Sequence, residues 1–174
     1  MWDSFASGLG KITNADGDVL ISDQKKHYQT NQISSVNEGI PYINSKLKNT
    51  LTLKSVISQI HEIDKNEGVG YNRGFISSKA MRTATIPLGH ADGFFRSLGH
   101  GKVFVKINGQ KAPVIGNVCM DMIMIDVSDI NCEEGDEVII FDTQKEVLEM
   151  ASQAKTISYE ILTSFSSRIK RVSI

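Results

Sequence analysis

"VFVKINGQKAPVIGNVCMDMIMIDV", Val103 to Val127, decides how this chain folds. Its first half is a hairpin, with Asn108-Gly109 supplying the positive-φ turn between two β-rich arms. Its second half, from Asn117, reads as a buried strand that crowds three methionines and a cysteine around two aspartates. Methionine fills gaps flexibly and specifies a core poorly. Either the strand is soft core, or its backbone and polar residues are placed at a site.

Working outward, the neighbouring segments are also strands. "RTATIPLG" (Arg82 to Gly89) is a strand ended by Pro and Gly, and "MIMIDV" and "DEVIIFD" add two more, joined by "SDINCEEG". "LTLKSVISQI" alternates through Leu51, Leu53 and Ile57, then shifts phase at Val56, Ser58 and Ile60, which predicts a bulge or a strand covered on both faces. Thr143 and Glu146 have capping-box spacing for a helix over "QKEVLEMASQ". "TISYEILTSFSSR" is a second helix, with Thr156 as its expected cap, and "IKRVSI" is expected to close the chain as a strand. Many short strands, no strand–helix alternation and two late helices predict a mainly β domain, a partly closed β-barrel with two short helices near the C-terminus.

The first forty residues are different: polar, glycine-containing and without sustained periodicity. "NADGD" (Asn14 to Asp18) invites a calcium-loop reading, but such a loop needs Gly at its sixth position and Glu at its twelfth, and these hold Val19 and Lys25. A turn between short strands is the expectation.

Composition excludes several classes. With 174 residues, 40% hydrophobic and 22% charged, the chain is an ordinary globular protein. Its 19 basic and 20 acidic residues leave a net charge of -1, which gives no reason to expect nucleic acid or an anionic membrane as partner. Cys119 and Cys132 make no disulfide framework, no run is long enough to span a membrane, and no signal pattern opens the chain, so the expected compartment is the cytoplasm. The four histidines are scattered and neither cysteine has a partner at ligand spacing, so no metal site is expected. Composition and spacing alone stop at a β-rich domain.

Motifs go further. "EGVGYNR", "ATIPLGHADGFFRSL", "APVIGNVCMDM", "GDEVIIF" and "TISYEILTSFSSRIKRV" follow one another at sensible intervals. Together they resemble the C-terminal β-domain of pyridoxal-phosphate-dependent alanine racemase, and the "GHADGFFRSLG" and "GNVCMD" variants most resemble the racemase half of ligase–racemase fusion enzymes. The resemblance covers residues 42–174 and leaves 1–40 unmatched. It implies a PLP-dependent isomerase that interconverts L- and D-alanine for peptidoglycan precursor supply, a homodimer when complete. By the same resemblance, Tyr71 is an acid/base on one face of the substrate Cα. Met120 offers its backbone N–H to the substrate carboxylate in the partner subunit's site, and Tyr159 contacts the phosphate of pyridoxal 5′-phosphate. His90, Asp92, Arg96 and Asp121 line the entry corridor or stand behind the site. Taken alone, each is a bland residue: a packed aromatic, a core methionine, a turn aspartate.

The chain departs from the family pattern at His90, commonly Tyr, and at Asn117, commonly Arg, which removes a positive charge near the site. A tyrosine ordinarily titrates near about 10, so one that acts near neutrality needs positive charge close by. Arg73 would point to the same side as Tyr71 if the segment were extended. None of the fourteen lysines sits in a motif like the Ala-Asp-Ala-Tyr-Gly-His-Gly that follows the family's cofactor-bearing lysine, which belongs to an N-terminal (β/α)8 barrel of roughly 200 residues or more. The expectation is a chain inactive alone. The alternative is a non-catalytic β-module that keeps only fold and dimer contacts. A third reading, the β-domain of barrel-plus-β decarboxylases, is disfavoured by "IPLGHADGFFR" and "VCMDM".

Overall fold

The computed structural model describes residues 51–173, together with two short strands, β1 (Ile12–Thr13) and β2 (Val19–Ile21). The chain divides into two units, Met1–Lys48 and Asn49–Ile174. In the first, β1 pairs antiparallel with β2. The "NADGD" residues between them lie outside the described ones.

The second unit is built on a seven-stranded antiparallel sheet. Its strands are β3 (Leu53–Val56), β4 (Gln59–Ile63), β7 (Met81–Ile86), β8 (Phe104–Ile107), β9 (Gln110–Ile115), β10 (Ile123–Asp126) and β11 (Glu137–Phe141). A separate small ribbon pairs β5 (Gly68–Val69) with β6 (Phe75–Ile76). Helices α1 (Gln144–Ala154) and α2 (Ser158–Ser164) follow.

Strand order across the sheet is β3-β11-β8-β9-β10-β7-β4. The edge strands β3 and β4 are consecutive in the chain, joined only by Ile57 and Ser58. In a flat sheet the edges would lie about 29 Å apart, six spacings of about 4.8 Å. Three Cα steps reach at most about 11 Å. The sheet must therefore curl until its edges approach, giving the expected partly closed barrel. Ile57 sits at the seam: its N–H donates to Asp136 O at 2.9 Å and its carbonyl accepts from Gly135 N at 2.8 Å. Ser58 N donates across to Thr85 O at 2.9 Å. The phase slip in "LTLKSVISQI" is thus not a bulge but the corner where the chain leaves one edge for the other.

The hairpin forms as its turn dictates. Asn108 and Gly109 have φ of 49° and 77°, and Ile107 pairs with Gln110. Val105, Ile107, Ala112, Val114, Ile123, Ile125 and Val138 are all buried in one large core, closed by Val147, Met150 and Ala151 of α1 and Ile161 of α2. Each of the Val, Ile and Met side chains among these contributes about 1.5–3 kcal/mol through burial. A second cluster, Ile63, Val69, Met81, Ile115, Cys119 and Met124 with Phe75 against it, is separate from the first. Successive strand residues face opposite ways, so Met124 serves this cluster while Ile125 serves the main one.

Helix α1 starts with the expected box: Glu146 N donates to Thr143 Oγ1 at 3.3 Å, and Thr143 N donates to Glu146 Oε2 at 3.2 Å. Lys106 Nζ stands 2.8 Å from Glu146 and 2.5 Å from Asp142. Burial alone would push the Glu146 carboxyl up, but bonds from the Asp142 N–H, Lys106 and Thr143 outweigh it and hold the pKa at about 2. A folded pKa below the unfolded one stabilises the fold fully above pH about 4.5 and ceases to do so as pH falls toward 2. Glu146→Gln should therefore lower stability at pH 7 by about 1–3 kcal/mol, with the gap closing on acidification. Urea midpoints of both proteins from pH 7 to pH 2.5 measure this. A pH-independent gap would show that the charge is not the cause.

Two boundaries differ from the sequence reading. Thr156 does not cap α2: its N–H donates to Ala151 O at 2.9 Å and so closes α1, while Ile157 takes the N-cap position without a side-chain bond. "IKRVSI" is not a strand through Val172–Ser173. That segment is held instead by arginine, with Arg171 donating to the carbonyls of Phe165, Ser166 and Ile169.

Candidate active-site surface

Tyr71 stands on a 3-10 turn, Tyr71–Arg73, between β5 and β6. Gly70, Asn72 and Arg73 all have positive φ, of 73°, 53° and 49°. The segment is a turn and not extended, so Arg73 does not lie beside Tyr71 as an extended reading places it. Its Nη2 donates to Asn66 O at 3.0 Å. Tyr71 is 56% exposed and its hydroxyl has no partner among the described residues.

The turn rests on the loop between β9 and β10. Asn117 Nδ2 donates to Tyr71 O at 2.8 Å, and Asn117 Oδ1 lies 3.0 Å from His100 Nε2. Met124, buried beneath, has its methyl where a side chain on Gly70 would begin. The methionines of the 117–127 stretch therefore divide. Met124 packs, whereas Met122 is 43% exposed, so the soft-core reading of the strand holds for one and not the other. Met120 is 53% exposed, and its backbone N–H has no partner among the described residues.

The "GHAD" turn clamps this loop from the other side. His90 N donates to Cys119 O at 3.0 Å, and Ala91 N donates to Met120 O at 2.9 Å. Asp92 is buried; its Oδ2 accepts from Gly89 N at 2.9 Å, and Arg168 Nε lies 3.4 Å from its Oδ1. Arg168 Nη2 also donates to Asp121 Oδ1 at 2.9 Å, so one arginine joins both carboxylates. The Asp121 carboxylate, then Asp92, raises the guanidinium pKa above its usual value. These three residues line a cleft of about 390 Å³ beside Leu53 and Leu88. The side chains of His90 and Arg96 are exposed and have no hydrogen-bond partner among the described residues.

Behind Asp92 the turn packs against the C-terminal end of α2. Gly93 has φ 101°, and a Cβ there would lie 2.3 Å from Ser164 O. Only glycine permits this approach. Ser164 Oγ donates to Gly93 O at 2.9 Å and Ser166 N donates to Asp92 O at 3.0 Å. Tyr159, on α2, is 69% exposed with a hydroxyl that has no partner among the described residues.

Apart from Arg96, on its own 3-10 turn (Arg96–Leu98), the candidate residues thus sit on one hydrogen-bonded succession of segments: the Tyr71 turn, the 117–122 loop, the 89–93 turn and α2, whose first turn carries Tyr159. Tyr71, Met120 and Tyr159 present free polar groups at an open surface. None of them lines the cleft. Such a surface can be one wall of a site; it excludes no water by itself. Sequence reasoning gave Arg168 no role, although it lies within the quoted "SSRIKRV", and read Asn117 only as a lost charge. The partners of both are distant in sequence.

The family model described as "Alanine racemase, C-terminal domain" matches residues 50–173. Alanine racemase of Helicobacter pylori (strain G27) is 38% identical over 151 residues, covering 84% of this chain and 38% of that protein. The Clostridium perfringens (strain SM101) enzyme is 41% identical over 140 residues, covering 78% and 36%. Among solved structures, alanine racemase from Bartonella henselae with covalently bound pyridoxal phosphate superposes with a TM-score of 0.67 at 34% identity, over 71% of this chain and 34% of that one. The Clostridium difficile 630 enzyme in complex with cycloserine gives 0.69 at 35%, over 74% and 34%. The chain spans a little over a third of the length of these relatives.

Proposed function

We propose that this chain, which belongs to the alanine racemase C-terminal domain family, forms one wall of an alanine racemase active site in a cytoplasmic, homodimeric enzyme that supplies D-alanine for the cell wall. Tyr71 holds or accepts a proton on one face of the alanine Cα. The Met120 backbone N–H binds the substrate carboxylate in the partner subunit's site, and the Tyr159 hydroxyl binds the cofactor phosphate. His90 and Arg96 border the entrance, and Asp92 and Asp121 stand behind it on Arg168. The observation that carries this reading is the hydrogen-bonded succession from Tyr71 through Asn117 and the Met120 loop to α2. It holds an exposed phenol, a free N–H and a second phenol on one framework.

When bound, pyridoxal 5′-phosphate supplies the electron sink that makes an α-proton removable. The residues here fit such a group in a limited way: Tyr159 offers one free hydroxyl donor to a phosphate oxygen. Racemisation needs acid/base groups on two faces, and this chain offers Tyr71 for one; a lysine of the N-terminal barrel takes the other. Arg168 keeps the 89–93 turn against the Met120 loop and so holds the carboxylate-binding N–H in place.

Purified alone, the 174-residue chain should neither racemise alanine nor trap cofactor on a lysine with borohydride. Joined to the N-terminal barrel of a relative, it should racemise alanine. Turnover by the chain alone would overturn the half-site reading. A folded, cofactor-loaded fusion without turnover would favour the non-catalytic β-module.

A further inference from the structure

We propose that Asn117 is the positioning residue that fixes how Tyr71 is presented, and that His100 in turn fixes Asn117; this rests on the reading of Tyr71 as an acid/base. Tyr71 is more than half exposed and its hydroxyl makes no hydrogen bond among the described residues, so its backbone must set the direction of the side chain. That backbone is a costly one. Asn72 and Arg73 are non-glycine residues with positive φ, a conformation that L-residues disfavour. Inside the turn, only the longer bonds Arg73 N to Gly70 O (3.2 Å) and Gly74 N to Tyr71 O (3.1 Å) hold it. The tertiary bond to Tyr71 itself comes from Asn117 Nδ2, at 2.8 Å.

The opposite end of the same amide is also occupied. The Tyr71 carbonyl can only accept, so the Asn117 NH2 faces it; Asn117 Oδ1 is thereby left 3.0 Å from His100 Nε2, which donates to it in the tautomer that carries its proton there. Gly74 is shaped to the contact: a Cβ there would fall 2.3 Å from Asn117 Nδ2. An arginine at position 117 could donate to the Tyr71 carbonyl but has no acceptor for His100. The asparagine and His100 therefore work as a pair.

The test uses the 174-residue chain and NMR. Its readouts are the Tyr71 Hα–Hβ couplings, which report one side-chain rotamer or an average, and amide exchange at Arg73 and Gly74. Asn117→Asp places a carboxylate oxygen opposite the Tyr71 carbonyl and should average the couplings and speed exchange at both amides about tenfold. His100→Leu should speed it about fivefold, and His100→Gln, whose amide N–H can replace Nε2–H, should restore the native values. Core amides of β7 and β10 should not move in any variant. Unchanged couplings in Asn117→Asp would overturn the proposal, as would equal loosening of β7 and β10. If Asn117→Asp fails to fold, the two His100 variants decide, and equal behaviour of Leu and Gln overturns it. No barrel, cofactor or turnover is involved. Failure here leaves the catalytic reading of Tyr71 intact, and failure of that reading leaves this result intact.

Discussion

Tyr71→Phe, in this chain joined to a racemase barrel, should slow solvent exchange of the L-alanine α-proton by about 10²–10⁴ and leave that of D-alanine within a few-fold. The substitution keeps the ring, whose hydroxyl has no partner among the described residues, so folding loses nothing that the structure shows. On the proposed reading, what it removes is the proton carrier on one face. A rate loss of that size corresponds to about 3–5 kcal/mol of barrier, several times what a lost surface hydrogen bond contributes. The barrel lysine still serves the other face, and Tyr159 is untouched, so cofactor should still bind. The assignment of tyrosine to the L face follows the family resemblance; the asymmetry follows from two bases on two faces. Deuterium incorporation from each enantiomer, followed by NMR, measures it. Equal losses with cofactor bound would count against a face-specific base, and no loss for either would remove Tyr71 from the chemistry.

Gly93→Ala should cost about 3 kcal/mol, through two additive effects. Its φ of 101° penalises any Cβ, by about 1–2 kcal/mol. The new methyl would also lie 2.3 Å from Ser164 O and 2.8 Å from Phe165 Cα, both backbone atoms that cannot yield without moving α2. Overpacking of this kind costs about 1–3 kcal/mol. For a unit of this size the melting temperature should fall by about 10–15 °C. Gly101→Ala is the internal control. Its φ is 76°, but nothing lies within 4 Å of the added methyl, so it incurs only the backbone cost. Similar melting temperatures for the two variants would show that the approach of α2 to the 89–93 turn is looser than described.

Local rules were legible in the sequence. Asn108-Gly109 names its own turn, and Thr143 with Glu146 names its own helix start, because each depends on residues one to three positions apart. Tyr71, Met120 and Tyr159 were proposed from motif alone, since exposed side chains with free polar groups leave no mark on periodicity. What stayed hidden depends on partners distant in the chain. The kink after Val56 looks the same for a bulge and for a strand that changes edges; only pairing with β11 and β7 separates them. Met122 and Met124 share an apolar run, yet only Met124 has a second cluster above it. Arg73 is directed away from Tyr71 by backbone angles that no propensity predicts for an arginine. Asn117 and Arg168 act through residues 46 and 47 positions away.

The seam at Ile57 also sets an order of events during synthesis. Strand β3 emerges from the ribosome before the rest of the barrel, but its partner is β11, and Lys54 meets Glu137 across 83 positions. At about 5–20 residues per second, β3 waits roughly 4–17 s with an unpaired edge. Meanwhile β4 and β7 can pair as soon as the intervening ribbon is made. An unpaired edge is a template for pairing with another chain, and Val56 adds apolar surface to this one. Slowing elongation between Val103 and Phe141 would lengthen that wait, so nascent aggregation should track the speed of translation across that interval.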